Sequence, residues 1–217
     1  MSVLDEIVKA YDIRGTVPDQ LHGEVSHALG VAYARFVDAD RVLVARDMRQ
    51  SGEVLASEFA RGIMEQGLDV VDLGLGSTDL LYYAAGSLDA PGAIFTASHN
   101  PAQYNGIKLC LSGARPVGID SGLTEIRDVA ATVLDGKGPR MAESAGSLSS
   151  LDVVPAFVDH VVSFVDVDAI APMRVVADTA NGMGGLVVPA VFDRLPMIDL
   201  EVMYGELDGT FPNHPAD

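Results

Sequence analysis

The sequence predicts an α/β protein in which helices cover β-sheets. Two observations carry this. Short apolar runs rich in β-formers, at residues 41–45, 68–73, 92–95, 106–111, 174–177 and 200–204, alternate with longer stretches of helical period. Nearly every run ends in a glycine-containing or polar turn before the next helix, as strand–loop–helix units do.

The elements follow in order. Residues 11–15 lead into the turn Val17-Pro18-Asp19. The helix expected over 21–37 has Val25, Leu29, Ala32 and Phe36 at helical spacing. The strand at 41–45 runs into Arg46-Asp47-Met48-Arg49-Gln50-Ser51, where Ser51 is placed to cap a helix over 52–66 that Gly67 closes. A strand at 68–73, the turn Gly74-Leu75-Gly76-Ser77 and a short helix over 79–85 come next. Beyond the strands at 92–95 and 106–111, a helix starts at Asp120 or Ser121 and reaches about 134. Residues 135–150, DGKGPRMAESAGSLSS, have a linker's content of glycine, serine and proline. A helix over 151–165 tolerates Pro155 near its first turn. The strand at 174–177 opens into Asp178-Thr179-Ala180-Asn181-Gly182-Met183-Gly184-Gly185, a helix to 194 follows, and 200–204 is the final strand. Strand–loop–helix units recur in both halves without a fixed period.

The 217 residues allow one large domain or two ordinary ones, and 48% hydrophobic content is ample for a core. No apolar run approaches the roughly 20 residues of a membrane span. The first nine residues hold Asp5, Glu6 and Lys9 and no hydrophobic signal region. The single cysteine, Cys110, excludes an internal disulfide framework, reads as a packing residue, and fits a reducing cytosol. With 14 basic and 31 acidic residues the net charge is −17, which argues against nucleic acid and anionic membranes as partners. A phosphorylated ligand would have to find cations concentrated locally, which singles out Lys9, Arg14, Arg46, Arg49, Lys108 and Arg115 near the motifs.

The chemistry centres on residues 93–109, AIFTASHNPAQYNGIKL. A buried strand ends in Thr96-Ala97-Ser98-His99-Asn100-Pro101, so Ser98 stands at the lip of a strand, where α/β proteins place reactive groups. The next strand brings Lys108 back toward the same rim. A hydrolase nucleophile is disfavoured because G-x-S-x-G is missing. On an extended chain His99 and Ser98 would point apart, leaving His99 poorly placed as a direct base. A hydroxyl that carries a phosphoryl group instead needs cations and N–H donors, which His99, Lys108 and the turn amides can supply. Asn100-Pro101 by itself also reads as an ordinary turn.

Thr96–Pro101 resembles the phosphoserine loop of the α-D-phosphohexomutases, the phosphomannomutase/phosphoglucomutase family. Lys9-Ala10-Tyr11-Asp12-Ile13-Arg14-Gly15 is similar to that family's N-terminal loop, and Asn105-Gly106-Ile107-Lys108 to its lysine loop. Asp208-Gly209-Thr210-Phe211-Pro212-Asn213-His214 resembles a segment of its second domain. Four motifs in the family's order make the resemblance specific. It implies mixed β-sheets covered by helices, with domain one at residues 1–137, a linker at 138–150, and most of domain two at 151–217. The family's metal, sugar-recognition and distal phosphate loops lie in a third and fourth domain, so the chain is expected to be the N-terminal piece of a longer enzyme, folding at least through its first domain but not turning over.

The implied activity interconverts hexose 1-phosphate and 6-phosphate through a phosphoserine and a hexose 1,6-bisphosphate intermediate, with Mg2+ on the Ser98 phosphate. Ser98 would carry the phosphoryl group and Arg14 would grip its oxygens. His99 and Lys108 would move protons or stabilise charge, and Tyr11 would line a phosphorylated hexose. The alternatives are a phosphoglucosamine mutase, whose N-terminal loop usually lacks the Tyr11-Asp12 pair, or a folded piece without catalysis. Glucose against mannose preference and oligomeric state are not legible.

Three weaker constellations remain. Asp38-Ala39-Asp40-Arg41 matches the last four places of the family's D-G-D-x-D-R metal loop but follows Phe36-Val37, and it reads as a solvated helix-to-strand link. Asn181–Gly185 and, more weakly, Gly74–Gly76 could seat a phosphate, though tight packing explains their glycines equally. The five histidines show no zinc spacing. His22, His27 and His160 fall on expected helices, and His214 either faces the cleft or caps a turn.

Overall fold

The computed structural model describes residues 2–216. Met1 and Asp217, the outer bounds of the two expected domains, lie outside the described residues. The chain order is α1 (Val3–Ile7), β1 (Ile13–Thr16), α2 (Gly23–Phe36), β2 (Arg41–Arg46), α3 (Gly52–Glu65), β3 (Asp69–Leu75), α4 (Thr78–Ser87), β4 (Gly92–Phe95), β5 (Tyr104–Leu111), β6 (Arg115–Pro116), α5 (Leu123–Leu134) and β7 (Leu148–Ser150). Then come α6 (Val154–Val162), β8 (Met173–Asp178), α7 (Gly184–Phe192) and β9 (Ile198–Met203).

A seven-stranded mixed sheet runs β1-β5-β4-β2-β3-β7, with β6 on β5. β2 is parallel to β3 and β4, while β5 is antiparallel to both β4 and β1. Both faces of the central strands are covered, which is why 42–45 and 92–95 read as unbroken apolar runs. Val42, Val44, Ala93 and Phe95 point into one core with α2, α3 and α5, and Leu43, Ala45 and Ile94 into a second with α4 and α6. Tyr33 anchors the first, its hydroxyl donating to the Cys110 carbonyl at 2.6 Å. α2 and α3 approach at glycines. A Cβ on Gly30 would meet the Phe59 carbonyl oxygen at 2.1 Å, and one on Gly62 the His27 carbonyl oxygen at 2.4 Å.

Three local readings are corrected. Ser51 does not cap α3. Its backbone is already helical, and its hydroxyl accepts from Asn105 Nδ2 at 2.9 Å, tying α3 to the start of β5. His22 precedes α2 in an extended conformation instead of lying on it. The end of the stretch read as a linker, Leu148–Ser150, is a parallel strand on β3. Asp69 Oδ1 holds it there, accepting from the Ser147 N–H at 2.7 Å and hydroxyl at 2.8 Å.

α6 packs back on the first unit. Phe157 is buried in the second core and its ring lies 5.7 Å from that of Tyr83. Beyond it, β8 and β9 form a parallel pair crossed by α7. Neither strand holds a buried residue.

Candidate active site

β2, β3 and β4 end on one rim of the sheet, and the loops after them meet there. The Asp47 N–H donates to the Phe95 carbonyl and the Gly76 N–H to the Arg46 carbonyl, both at 2.9 Å, so the three loops are stitched together at their roots. Asp38–Arg41 lies at the opposite end of β2, away from this rim, because the strand runs from Arg41 to Arg46.

Ser98 is the turning point of the loop after β4. Its φ of 54° is in the left-handed region, an uncommon place for a residue other than glycine. The loop closes on itself through the Ser98 N–H to Thr96 Oγ1 (3.0 Å), the Asn100 N–H to the Ala97 carbonyl (3.0 Å) and the Tyr104 N–H to the Pro101 carbonyl (3.0 Å). This conformation overturns the expectation that Ser98 and His99 point apart. The turn is not extended, and Ser98 Oγ sits 3.4 Å from His99 Nδ1. At that distance the imidazole is a neighbour of the hydroxyl rather than a well-formed partner.

A second cluster lies beside the loop. Arg14 donates to Asp12 Oδ2 and to Asn100 Oδ1, each at 2.5 Å, and Lys108 Nζ lies 3.1 Å from the same Asp12 oxygen. Ile13 and Ile107 point into the core, so strand alternation turns Arg14 and Lys108 to the other face. Asn100 thereby couples the N-terminal loop to the serine loop. Tyr11 is 82% exposed and contacts neither cluster through a hydrogen bond. Two cations singled out near the motifs are engaged locally: Lys9 donates to the Glu6 carbonyl and Arg115 to the Ser112 carbonyl.

Arg49 also departs from expectation. It is not free to meet an anion, because its guanidinium is buried under the serine loop beside Asp47, whose Oδ2 lies 3.3 Å from Nε. Burial pushes the Asp47 carboxyl above the usual carboxylate range, partly offset by the Thr96 hydroxyl and the Arg49 N–H and charge. Burial likewise lowers Arg49, with Asp47 opposing.

Ser98 and His99 open on a cavity of about 350 Å³ that also reaches Asp47 and the start of α4 at Ser77, Thr78 and Asp79. Ser77 caps α4, accepting from the Leu80 N–H at 3.2 Å. The positive end of α4 thus lines the same cavity as the serine. The glycine-rich turn of the second unit closes the far wall with Thr179, Ala180, Gly182 and Met183. Asn181 shapes that turn from within: it is 3% exposed, donates to the Glu206 carbonyl at 2.9 Å, and accepts from Asn213 Nδ2 at 2.8 Å. His214 Nε2 lies 3.1 Å from both Asp178 oxygens, and the residue also lines a cavity with His99 and Asn100.

Sequence reasoning missed Asp12, Asn100 and the Asp47–Arg49 pair as structural members of the site. Asp47-x-Arg49 directly after a buried strand on the same rim was the available signal. Among the described residues no group of three or more His, Cys, Asp or Glu side chains comes together to hold a metal ion.

Residues 5–134 match the family model described as phosphoglucomutase/phosphomannomutase, alpha/beta/alpha domain I. A phosphomannomutase of Salmonella typhimurium is 35% identical over 211 residues, covering 94% of this chain and 46% of that protein. A protein of Xanthomonas campestris named phosphohexose mutases is 38% identical over 207 residues, covering 94% and 45%. A crystal structure of a phosphoglucomutase/phosphomannomutase family protein from Burkholderia thailandensis superposes with a TM-score of 0.82 at 32% identity, covering 99% of this chain and 47% of that one. The chain spans about half the length of the curated relatives it matches. With the matched domain covering more than half of its residues, the chain belongs to the phosphoglucomutase/phosphomannomutase family.

Proposed function

We propose that this chain carries the phosphoserine half of a hexose phosphomutase, cytoplasmic, acting on hexose 1- and 6-phosphates by way of a hexose 1,6-bisphosphate. The observation that supports it best is Ser98 itself, held left-handed at the strand rim beside His99 and opening on the cavity that the start of α4 also lines. A phosphoryl group on Oγ would meet the helix end, which favours anions.

In the proposed reaction the bond between phosphorus and Ser98 Oγ breaks as a sugar hydroxyl oxygen bonds to phosphorus. The hydroxyl proton leaves to a base, and Oγ is left free to accept the other phosphate of the bisphosphate in the reverse sense. Such a transfer depends on positioning and charge neutralisation. His99 and Lys108 are the proposed proton carriers. Arg14, fixed by Asp12 and Asn100, presents a planar fork suited to phosphoryl oxygens. Tyr11, exposed at the N-terminal loop, is the proposed substrate contact.

Mg2+ would neutralise charge on the transferring group, and the contact proposed for it among the described residues is the Ser98 phosphate. The described residues do not complete such a site, so no step is assigned to the metal. The chain is accordingly proposed to exchange phosphate at Ser98 without full turnover. We also propose the division into domain one (1–137) and domain two (151–217), with β7 as the strand on which they join.

The test is incubation with glucose 1,6-bisphosphate and Mg2+, followed by intact mass and peptide mapping. One phosphoryl group on Ser98, lost in Ser98→Ala, is expected. Phosphate placed elsewhere would overturn the reading.

A further inference from the structure

Arg49 makes an unusual set of bonds. It is 2% exposed, and its side chain ends under the serine loop. One terminal nitrogen donates to the carbonyls of Pro101 and Tyr104, both at 2.9 Å. The other donates to the carbonyls of Ser98 at 2.8 Å and Asn100 at 2.7 Å. Four oxygens of one short loop therefore converge on a single buried cation. Of these, the Pro101 carbonyl also accepts from the Tyr104 N–H; without Arg49 the grip that draws all four oxygens to one point would be lost. The Ser98 carbonyl is among the four, so the same grip holds the left-handed turn at Ser98.

The outer side of Arg49 is sealed by the second unit. The Phe211 ring lies over the guanidinium, its centroid 5.2 Å from the guanidinium carbon, a cation–π arrangement. Gly209 rests against the backbone beneath, where a Cβ would meet Arg49 Cα at 2.6 Å and the Met48 carbonyl oxygen at 3.0 Å.

We propose that Arg49 is the positioning residue of the serine loop, and that the 208–213 turn is the seal that keeps it dry, so that docking of the second unit sets how Ser98 is presented. Arg49 does not touch the phosphate. It acts through the four carbonyls. Only the consequence for phosphate exchange rests on the reading of Ser98 as a phosphate carrier; the mechanical coupling does not.

The experiment compares the wild-type chain with Arg49→Lys, Gly209→Ala and Phe211→Leu. Lysine keeps the charge but loses the fork that reaches all four oxygens. The other two changes leave Arg49 intact and disturb only its seal. Amide hydrogen exchange is read at Ser98, Asn100 and Tyr104, whose N–H groups bond inside the loop, against amides of β2 and β4. Arg49→Lys is expected to speed loop exchange by roughly tenfold or more with β2 and β4 little changed, as loss of charge-assisted bonds would. Gly209→Ala and Phe211→Leu are expected to speed the same amides several-fold. Uniform acceleration across loop and core in Arg49→Lys would make Arg49 a general stabiliser and overturn the positioning role. Unchanged loop exchange in both Gly209→Ala and Phe211→Leu would overturn the coupling, and these two decide the matter if Arg49→Lys does not fold. The rate of phosphate uptake from glucose 1,6-bisphosphate should fall in the same order. A wild-type chain that takes up no phosphate would sink the phosphomutase reading while leaving the exchange result to judge Arg49.

Discussion

The two units of the molecule are built from the same strand–loop–helix pattern and reach opposite states of burial. In the first, β4 is buried along its whole length and β2 along all but its ends. In the second, Met173, Val176 and Met203 are 48%, 55% and 38% exposed on strands of comparable apolarity. α7, the most apolar helix segment of the second unit, buries none of its residues. A strand signal in sequence thus reports what a segment can do, while burial depends on what is packed against it. The first unit brings α2, α3 and α5 to one sheet face and α4 to the other, where α6 of the second unit packs beside it. The second has α7 alone across β8 and β9, and its order depends on contacts with its neighbour: Phe157 in the second core, and the 208–214 segment on the serine loop.

The contrast can be sharpened by substitution. Phe59→Ala in the first core should cost the most, about 3–5 kcal/mol in denaturant unfolding, because Phe59 is fully buried between Tyr33 and Phe95. Phe157→Ala should cost about 3 kcal/mol, and hydrogen exchange should show the loss concentrated in residues 154–203. An equal loss in β2 and β4 would mean that the units melt as one. Asn181→Ala should cost about 2 kcal/mol, since it strands the Glu206 carbonyl and the Asn213 amide in the turn behind the cavity.

The His214–Asp178 pair offers a pH test of the same boundary. Asp178 and the Pro215 carbonyl raise the His214 value, while His214 lowers that of Asp178. The raised histidine contributes stability that is complete below about 6.5 and fades as pH climbs through its folded value. The depressed aspartate contributes above about 3.9 and fades as pH falls through its own. Proteolytic resistance of the 208–216 segment should therefore be greatest between those limits, and its loss as pH climbs through the histidine's value should disappear in Asp178→Asn, while Asp208, also depressed by Thr210, still titrates at low pH. The smallest effect is expected for Val176→Ala, within about 0.5 kcal/mol by thermal melting, because that side chain is already half in water.

How much of this was legible differs by region for the same reason. β2 and β4 could be read to within a residue, since strands buried on both faces must be continuously apolar, whereas β5 begins two residues before the apolar run, at Tyr104. The serine loop and the lysine after it were legible as residues but not as geometry. Nothing in Ser98-His99 announces a left-handed turn, because that conformation is imposed by Arg49 from 49 positions away in sequence. Arg49 was read as an anion-binding cation since charge is visible in a sequence and burial is not. β7 was hidden because three exposed residues, Leu148–Ser150, have no apolar pattern to show, and Asp69 fixes them from another strand.

Cys110 has a practical consequence. It is the chain's single cysteine, it is wholly buried, and burial pushes its thiol up to about 11. At neutral pH it is present almost entirely as the unreactive thiol, out of reach of reagents. The wild-type sequence is therefore silent toward maleimides, and one cysteine introduced at an exposed site such as Phe164, 75% exposed in the turn just after α6, would take a single spectroscopic label. Paired with a second label on the first unit, it would turn the separation of the two units into a distance read directly in solution.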